Sequence, residues 1–495
     1  MYYIGYDIGS SSVKVALVEA ATGKKIIVLH EPQNEMEIVS LHADWAEQDP
    51  EIWWQHICVA TKRAIREANI EASKIQGVGI SYQMHGLVIV DEACKPLRNA
   101  IIWCDSRAVA IGDKAFEEIG AEKCFSHLLN SPGNFTASKL KWVKENEPEI
   151  YSKVYKYMLP GDYIAYKLTG DVTTTKNGLS EGMLWDYKEN KVADWLLDYY
   201  GIDQSLTPAI VENFTNQGVL NEKGAKESGL PTGIPVVYRA GDQPNNALAL
   251  NVLNPGEVAA TGGTSGVFYA VSEMSAGNKS TRVNNFVHVN YEVAKPRIGK
   301  LLNINGAGIQ YRWLRNNMGD ETYESMNRKA SKIDIGSEGV VVIPFGNGAE
   351  RMFNNKNIGT HFLNLNLNIH SSSHLFRASL EGIAFSFVYG MECLKDDNAT
   401  IGVIRAGNDN LFRSEIFSNT VATLIGHEIE IYNTTGAVGA ARAVGLIDGD
   451  FEKFGSSITT NDHVMTFLPL QNKEPYVQAY QKWKQELEFI LTQKK

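Results

Sequence analysis

The 495 residues of the chain exceed the size at which one hydrophobic core stops growing, so we expect two or three domains. Hydrophobic residues make up 44% and charged residues 21% of the sequence, which is typical of globular proteins and excludes a disordered chain. The formal net charge of -10 would repel nucleic acid, so any phosphate site must use local N–H groups, a few cations and a metal ion.

The cysteines and the N-terminus indicate a cytoplasmic protein. Five scattered cysteines form no CxxC pair, which is typical of reduced thiols in a reducing compartment. The segment MYYIGYDIGS lacks the basic and apolar regions of a secretory signal. Because no apolar run approaches the ~20 residues needed to cross a bilayer, we expect no membrane partner.

The first half predicts strands and helices in a layered α/β arrangement. Alternating, β-branched and aromatic residues predict strands at Tyr2 to Ile8, Val13 to Glu19 and Lys25 to His30. Apolar residues at helical spacing predict a helix from about Pro50 to Asn69, and the strand Ile75 to Ser81 follows. Continued alternation along the chain favours a mixed sheet covered by helices.

The second half opens in the same way as the first. A strand at Glu257 to Thr261, a Gly/Ser/Thr turn and a returning strand at Val267 to Val271 repeat the arrangement of Tyr2 to Leu17. This weak repeat predicts a duplicated architecture with a cleft between two domains. The Asn, Pro and Gly residues of Asn251 to Gly256 indicate the boundary, which gives domains at 1–248 and 249–495.

Two turns suit phosphate binding. In DIGSSSVK, an acidic Asp7 ends a strand and is followed by Gly9, by three hydroxyls and by Lys14; the hydroxyls belong to Ser10, Ser11 and Ser12. Alone, this segment is more often an ordinary hairpin turn. The second turn, TGGTSG, offers Gly263, Thr264 and Ser265 and would face the first across the cleft, so that together they could clamp one triphosphate.

Polar residues after other strands are candidates for the chemistry. Asp242 follows the strand Val236 to Arg239, where it could take a proton from a bound hydroxyl or simply cap the next helix. A polyol-binding set is predicted after two earlier strands, although a lone histidine is more often structural; its members are Gln83, Met84, His85, Trp103 and Asp105. Gly407 and Asn408 follow a strand where nucleosides often bind.

Several of these segments resemble the FGGY carbohydrate kinases, and the xylulose-phosphorylating branch most closely. The resemblance covers nearly the whole chain. In the first half it includes the strand-turn motif at Asp7–Lys14, M-H-G at Met84–Gly86, W-x-D-x-R at Trp103–Arg107, F-T-A-x-K-L within Asn134–Val143 and L-P-x-D-Y at Leu159–Tyr163. In the second half it includes G-T-S-G at Gly263–Gly266 and H-L-x-R-A-x-L-E-G at His374–Gly382. The pair Asp242-Gln243 is similar to glycerol kinases instead.

The resemblance implies a duplicated actin-like, ribonuclease-H-like α/β fold, with sugar bound by residues 1–248 and ATP by residues 249–495. It implies transfer of a phosphoryl group from ATP with Mg²⁺ to a ketopentose, with D-xylulose the expected acceptor and a homodimer a candidate assembly. Asp242 would accept the hydroxyl proton, and Asp7 would lie near the metal. The two turns would bind the phosphates, and Gly407 and Asn408 the nucleoside.

Three alternatives stay open at this point. The acceptor could be another sugar or polyol, such as ribulose, a hexulose, gluconate or glycerol. A non-catalytic sugar or nucleotide sensor could use the same scaffold, although Asp7, Asp242 and both turns are intact. An actin-like filament or chaperone ATPase would need no sugar-binding set, and the residues around His85 and Trp103 argue against it.

Overall fold

The structure is a computed structural model, and it describes residues 1–273, 280–319 and 321–493. Two mixed sheets form its framework. The first contains β1 (Tyr2–Ile8), β2 (Val13–Glu19), β3 (Lys25–Glu31), β4 (Ile75–Tyr82) and β5 (Val236–Gly241) in the order β3-β2-β1-β4-β5. Strands β1, β4 and β5 are parallel, whereas β2 and β3 continue the sheet as antiparallel neighbours.

The second sheet has seven strands in the order β8-β9-β7-β6-β10-β11-β12. They are β6 (Glu257–Gly262), β7 (Gly266–Glu273), β8 (Asn284–Val287), β9 (Arg297–Ile304), β10 (Val403–Gly407), β11 (Ile429–Tyr432) and β12 (His463–Phe467). Its five strands β9-β7-β6-β10-β11 repeat the order and the directions of β3-β2-β1-β4-β5. The predicted duplication is therefore confirmed.

Helices cover both sheets and fill the space between them. They are α1 (Pro50–Glu67), α2 (Val109–Ile119), α3 (Ala121–His127), α4 (Thr136–Asn146), α5 (Pro148–Tyr151), α6 (Pro160–Thr169), α7 (Lys176–Glu181), α8 (Asp194–Tyr200), α9 (Glu222–Ser228), α10 (Asp242–Ala249), α11 (Gly308–Asn317), α12 (Tyr323–Ala330), α13 (Ser372–Asp396), α14 (Glu415–Ile425), α15 (Gly436–Ala443), α16 (Phe451–Asp462) and α17 (Glu474–Gln493). Within the described ranges, none is both long and apolar enough to span a membrane.

Short strand pairs complete the secondary structure. They join Glu47–Gln48 with Ala100–Ile101, Val88–Val90 with Lys156–Met158, Thr173–Thr175 with Ala209–Val211, Trp185–Asp186 with Lys191–Val192, and Val341–Phe345 with Gly359–Leu363.

The element bounds agree with the sequence to within one or two residues, and the differences have local causes. The Asp49 side chain accepts a hydrogen bond from Glu51 N and caps α1. The helix stops before the predicted end because Asn69 adopts φ 52°, which lies outside the right-handed helical region. Strand β6 runs to Gly262, since its pairing with Gly266 continues after the apolar side-chain pattern has ended.

Helix α15 connects the halves, because it belongs to the second half of the chain and packs on the first sheet. A Cβ added to Gly5 would overlap the carbonyl oxygen of Ala437, and one added to Gly79 would overlap that of Ala440. Only glycine lets the helix backbone approach the sheet this closely. The contact fixes the start of α15, at Gly436, beside the end of β1.

Candidate active site

The parallel strands β1, β4 and β5 end side by side, so the residues after them meet at one edge of the sheet. Asp7 lies opposite Ser81 in the register, and Tyr82 lies opposite Gly241, which directly precedes Asp242. The Ser81 hydroxyl donates to Asp7 Oδ1 at 3.0 Å. The pairing thus gathers the two carboxylates that the sequence singled out.

Asp242 is the first residue of α10, and it does not cap this helix. Gly241 occupies the N-cap position without a side-chain bond, and Asp242 Oδ2 instead accepts from Gln243 Nε2 at 3.3 Å. Burial and then the Asp7 charge raise the pKa of Asp242 to about 7, against the Gln243 hydrogen bonds and the Lys14 charge. Its carboxylate can therefore gain or lose a proton near neutral pH.

The N-terminal turn, residues 7–14, brings a cation to the same edge. Lys14 Nζ lies 3.7 Å from Asp7 Oδ2, and the lysine side chain is half exposed. Burial raises the pKa of Asp409 in the second half, and the charge of Lys14 opposes this shift. Lys14 therefore lies where the N-terminal turn approaches the second half of the chain.

The serines of the N-terminal turn are held by neighbouring loops. Ser10 Oγ accepts from Trp103 Nε1 at 3.3 Å, and Ser10 O accepts from Gln48 Nε2 at 2.7 Å. The backbone oxygen of Ser11 accepts a hydrogen bond from Met36 N, and the backbone oxygen of Ser12 accepts one from Gly9 N within the turn. The turn is thus tied to the loop that carries Trp103.

The C-terminal turn, residues 261–266, rests on a second glycine-containing segment that sequence reasoning missed. Gly308 N donates to Gly263 O at 3.1 Å, and Ile309 N donates to Thr264 O at 3.0 Å. Thr264 is exposed and Ser265 is partly exposed. The segment Asn305-Gly306-Ala307-Gly308 follows a strand and begins α11, so the strand, glycine and helix pattern could have revealed it.

The predicted nucleoside loop lies beside the C-terminal turn. Asn408 N donates to Tyr432 O at 2.8 Å, which continues the pairing of β10 with β11. A Cβ added to Gly263 would lie 3.8 Å from Asn410 Nδ2. Gly407 and Asn408 therefore belong to the same cluster of loops as the C-terminal turn.

Helix α10 holds the ends of both sheets together through two asparagines that were not predicted. Asn245 Nδ2 donates to Gly436 O at 2.9 Å, at the start of α15. Asn246 Nδ2 donates to Thr261 Oγ1 at 3.2 Å, at the end of β6. Helix α10, which begins at Asp242, thus contacts the end of β6 at Thr261 in the C-terminal turn, while Asp242 itself lies near Asp7 of the N-terminal turn.

A backbone hydrogen bond holds His85 in one tautomer. Its Nδ1 lies 2.9 Å from the backbone oxygen of Glu181, so this nitrogen must carry the proton and donate. Burial, and next the Lys139 charge, lower the pKa of His85 to about 3. The ring is therefore neutral, with Nε2 as an acceptor, and it is flanked by Phe135 at 4.7 Å and Phe286 at 5.6 Å between ring centroids.

The other predicted sugar residues take different positions. Met84 is buried, and a Cβ added to Gly241 would lie 2.5 Å from its Cγ. Gln83 is also buried and donates to Gln48 Oε1 at 3.4 Å. Trp103 is 53% exposed at the cleft edge.

Asp105 is the candidate that the structure does not bring to the cleft. It is fully buried, and Arg107 Nη2 donates to its Oδ2 at 2.7 Å. The same oxygen accepts from Ala46 N at 2.7 Å. Both of its oxygens are engaged by protein donors, because Arg107 N also donates to Oδ1 at 3.0 Å. Its carboxylate therefore shapes the loop that carries Trp103.

Lys139 connects the loop that contains His85 with the loop that contains Trp103. Its fully buried ammonium donates to His85 O and to Ile102 O, both at 2.9 Å. Burial lowers the pKa of Lys139 to about 7, against the opposing effect of Asp105. Its two hydrogen bonds fix the relative position of the loops.

Two further ionisable residues near the sugar loops have no signal in the sequence. Glu181, at the end of α7, is 1% exposed, and a Cβ added to Gly241 would overlap its Oε2. Arg351 comes from the second half, and its Nε donates to Thr281 O at 2.7 Å. Its charge contributes to lowering the pKa of His85. Only the tertiary packing brings these residues to the site.

Comparisons with known proteins agree over most of the chain. The model of the FGGY family of carbohydrate kinases, N-terminal domain, matches residues 2–249, and that of the C-terminal domain matches residues 258–445. The xylulose kinase of Escherichia coli K12 is 30% identical over 447 residues, which cover 89% of this chain and 88% of the relative.

Solved structures share the whole architecture. A "xyloylose kinase" from Brucella ovis has a TM-score of 0.87 at 26% identity, with 99% of both chains covered. A gluconate kinase from Lactobacillus acidophilus has a TM-score of 0.88 at 19% identity, and the likeness covers 100% of this chain and 99% of that one. The second likeness establishes the fold alone.

Proposed function

Because this chain belongs to the FGGY family of carbohydrate kinases, we propose that it transfers the γ-phosphoryl group of Mg-ATP to a terminal hydroxyl of D-xylulose. The sugar would bind to residues 1–248 and the nucleotide to residues 249–495. The observation that carries the proposal is the position of Asp242, which follows β5 at the sheet edge shared with Asp7 and begins the helix that contacts the C-terminal turn through Asn246. Burial and the Asp7 charge also raise its pKa to about 7. A general base needs both properties.

Asp242 is the proposed proton acceptor. Its carboxylate would bind the sugar hydroxyl, orient the oxygen toward the γ-phosphorus and take the proton as the new P–O bond forms and the bond to the ADP oxygen breaks. At the other end of the open-chain sugar, His85 Nε2 would accept a hydrogen bond from a hydroxyl. The neighbouring rings of Phe135 and Phe286 would exclude water from that end.

The phosphates would be held by the two turns. Backbone N–H groups and hydroxyls of the C-terminal turn, from Gly263, Thr264 and Ser265, would contact the phosphate oxygens. Lys14 and the serines of the N-terminal turn would face them from the other side, and Gly407 with Asn408 would contact the nucleoside. This division agrees with the exposure of Thr264 and of Lys14.

Asp7 fits a magnesium ion. Its Oδ1 accepts from Ser81, whereas Oδ2 accepts no hydrogen bond from the described residues and has Lys14 only at 3.7 Å. The described residues contain no cluster of three or more metal-ligating side chains, and Mg²⁺ usually takes one or two carboxylates together with substrate phosphates. When bound, the ion would neutralise charge that develops on the transferring phosphoryl group.

A substrate panel tests the choice of acceptor. Purified protein with ATP and magnesium would be given D-xylulose, L-xylulose, ribulose, a hexulose, gluconate and glycerol, and ADP release would be measured by a coupled assay. The highest kcat/KM is expected for D-xylulose. Near-equal values across the panel, or ATP hydrolysis that no sugar stimulates, would contradict the proposal.

Arg351 favours one second candidate, an aldonate such as gluconate. Within the described residues its guanidinium forms no ion pair with a carboxylate, and burial lowers its pKa to about 10. A partly buried cation that forms no ion pair among the described residues, and whose charge reaches His85, is suited to bind a sugar carboxylate. Replacing Arg351 with Gln would then lower kcat/KM for gluconate far more than for xylulose, whereas equal effects on both sugars would exclude this role.

A further inference from the structure

Glu181 is an anomaly of the candidate site, because its carboxyl group is buried without an ion pair to a cation among the described residues. The side chain is 1% exposed, and neither carboxyl oxygen meets a donor at good hydrogen-bond geometry there, although the Tyr82 hydroxyl and the His85 backbone N–H group lie beside it. An ionised carboxylate in such a place costs several kcal/mol of solvation free energy. Protonation removes that cost.

The charges around Glu181 make ionisation still less favourable. Asp242 and Asp162 both face it, and the nearby cation, Arg239, already binds Asp162 at 3.0 Å. The titratable groups that face it from the packed elements are Tyr82, His85, Asp162, Tyr238, Asp242 and Tyr269. Burial and then Asp242 raise the pKa of Glu181 well above its ordinary value.

Glu181 also contacts both ends of the sugar site. Its backbone oxygen receives His85 Nδ1 at 2.9 Å, which sets the ring tautomer. Its carboxyl group lies against Gly241, so closely that a Cβ at that position would overlap Oε2, and Gly241 leads directly into Asp242. Met84 also links the two, since it contacts Gly241 and precedes His85 in the chain, but of these two residues Glu181 alone has an ionisable side chain.

We propose that Glu181 is a positioning residue that stays protonated and holds Asp242 and His85 in place. The inference rests on the proposed role of Asp242 as proton acceptor. The protonated carboxyl group adds no negative charge beside Asp242, so it leaves that carboxylate free to ionise, and its bulk keeps the turn from Gly241 to Asp242 in position. The Glu181 proton is not transferred during the reaction.

Two variants distinguish this role from that of an ionised carboxylate and from that of a side chain that only occupies space. Glu181→Gln keeps the shape and the neutral charge, so kcat should stay within ~3-fold and the acid limb of its pH profile should not move. Glu181→Leu removes the polar group, and kcat should fall by about an order of magnitude with a smaller change in KM for the sugar. Both variants keep the backbone bond to His85.

The proposal fails if the acid limb of Glu181→Gln moves to lower pH by about one unit, because an ionised Glu181 must then have been raising the pKa of Asp242. It also fails if Glu181→Leu has the same kcat as the parent.

Infrared difference spectra give a test without substrate. The parent should keep the carbonyl band of a protonated carboxylic acid at pH 8, and Glu181→Gln should lose it. An inactive parent with this band would contradict the proposed function and leave the protonation established.

Discussion

The N-terminal turn and the C-terminal turn occupy equivalent places in the two sheets but differ in chemistry. The first carries Asp7 and Lys14 and is held by side chains from other loops, including Trp103 and Gln48. The second carries no charged residue and is held by backbone hydrogen bonds from the start of α11. The two turns thus share one geometry but differ in what they offer a ligand: the first carries charged side chains, whereas the second carries only uncharged ones.

The largest expected effect comes from replacing Asp242, the proposed base beside the N-terminal turn. Asp242→Asn should lower kcat by roughly 10²–10⁴, the usual size of a general-base contribution, because the amide cannot accept the hydroxyl proton. The KM values for sugar and ATP should change little. Steady-state kinetics with the preferred sugar of the panel would measure both.

A matched control is available for this substitution. Asp194 is also the first residue of a helix, and it forms an ion pair with Lys191 at 3.4 Å. Asp194→Asn should therefore leave kcat unchanged. If Asp242→Asn also left kcat unchanged, Asp242 would have only a structural role, and the N-terminal turn would have no general base beside it.

The contrast between the turns is sharpened by two glycine substitutions. A Cβ at Gly308 would overlap Gly263 O and force the C-terminal turn to move, whereas a Cβ at Gly9 would meet only Ser12 O at 3.1 Å. Overpacking of this kind costs about 1–3 kcal/mol, so Gly308→Ala should raise KM for ATP by ~10-fold or more. Gly9→Ala should change it by less than ~3-fold.

These two variants are compared by titrating ATP at saturating sugar, and then sugar at saturating ATP. Gly308→Ala should leave KM for the sugar unchanged, since the displaced turn belongs to the half proposed to bind ATP. Equal effects of both substitutions on KM for ATP would mean that the two turns hold the phosphates in the same way. Thermal denaturation of each variant would show whether the whole protein or only the turn is disturbed.

The duplicated fold could be predicted from the sequence because it depends on local patterns. The strands around Asp7 and around Gly263 carry the same succession of apolar strand, small-residue turn and returning strand, and the structure places them at equivalent positions. Such patterns are set by side-chain alternation and turn chemistry, which a single sequence displays. Bounds were less accurate where backbone pairing continued beyond the pattern.

The site was harder to predict because burial and partners are tertiary properties. Asp105 has the residue type and position of a ligand contact, yet Arg107 occupies its carboxylate. Glu181 lies in a segment without a motif, and it stands out only because its buried carboxyl oxygens meet no hydrogen-bond donor at good geometry in the part of the chain that the structure describes. The glycines before α11 did have a readable pattern, and comparison with the other two glycine turns would have revealed them.

Replacing Lys14 with Met should give the smallest effect and the most specific one. The Lys14 charge lowers the pKa of Asp242, which stands at about 7, so its removal raises that pKa further. Less of the base is then ionised near neutrality, and kcat at pH 6.5 should fall ~3-fold while kcat at pH 9 stays near the parent value. Lys74→Met, in an exposed ion pair with Glu71 at 3.3 Å, serves as the control. If the midpoint of the pH profile stayed unchanged while KM for ATP rose, Lys14 would act in phosphate binding alone. The N-terminal turn and the C-terminal turn would then share a role in phosphate binding as well as a shape.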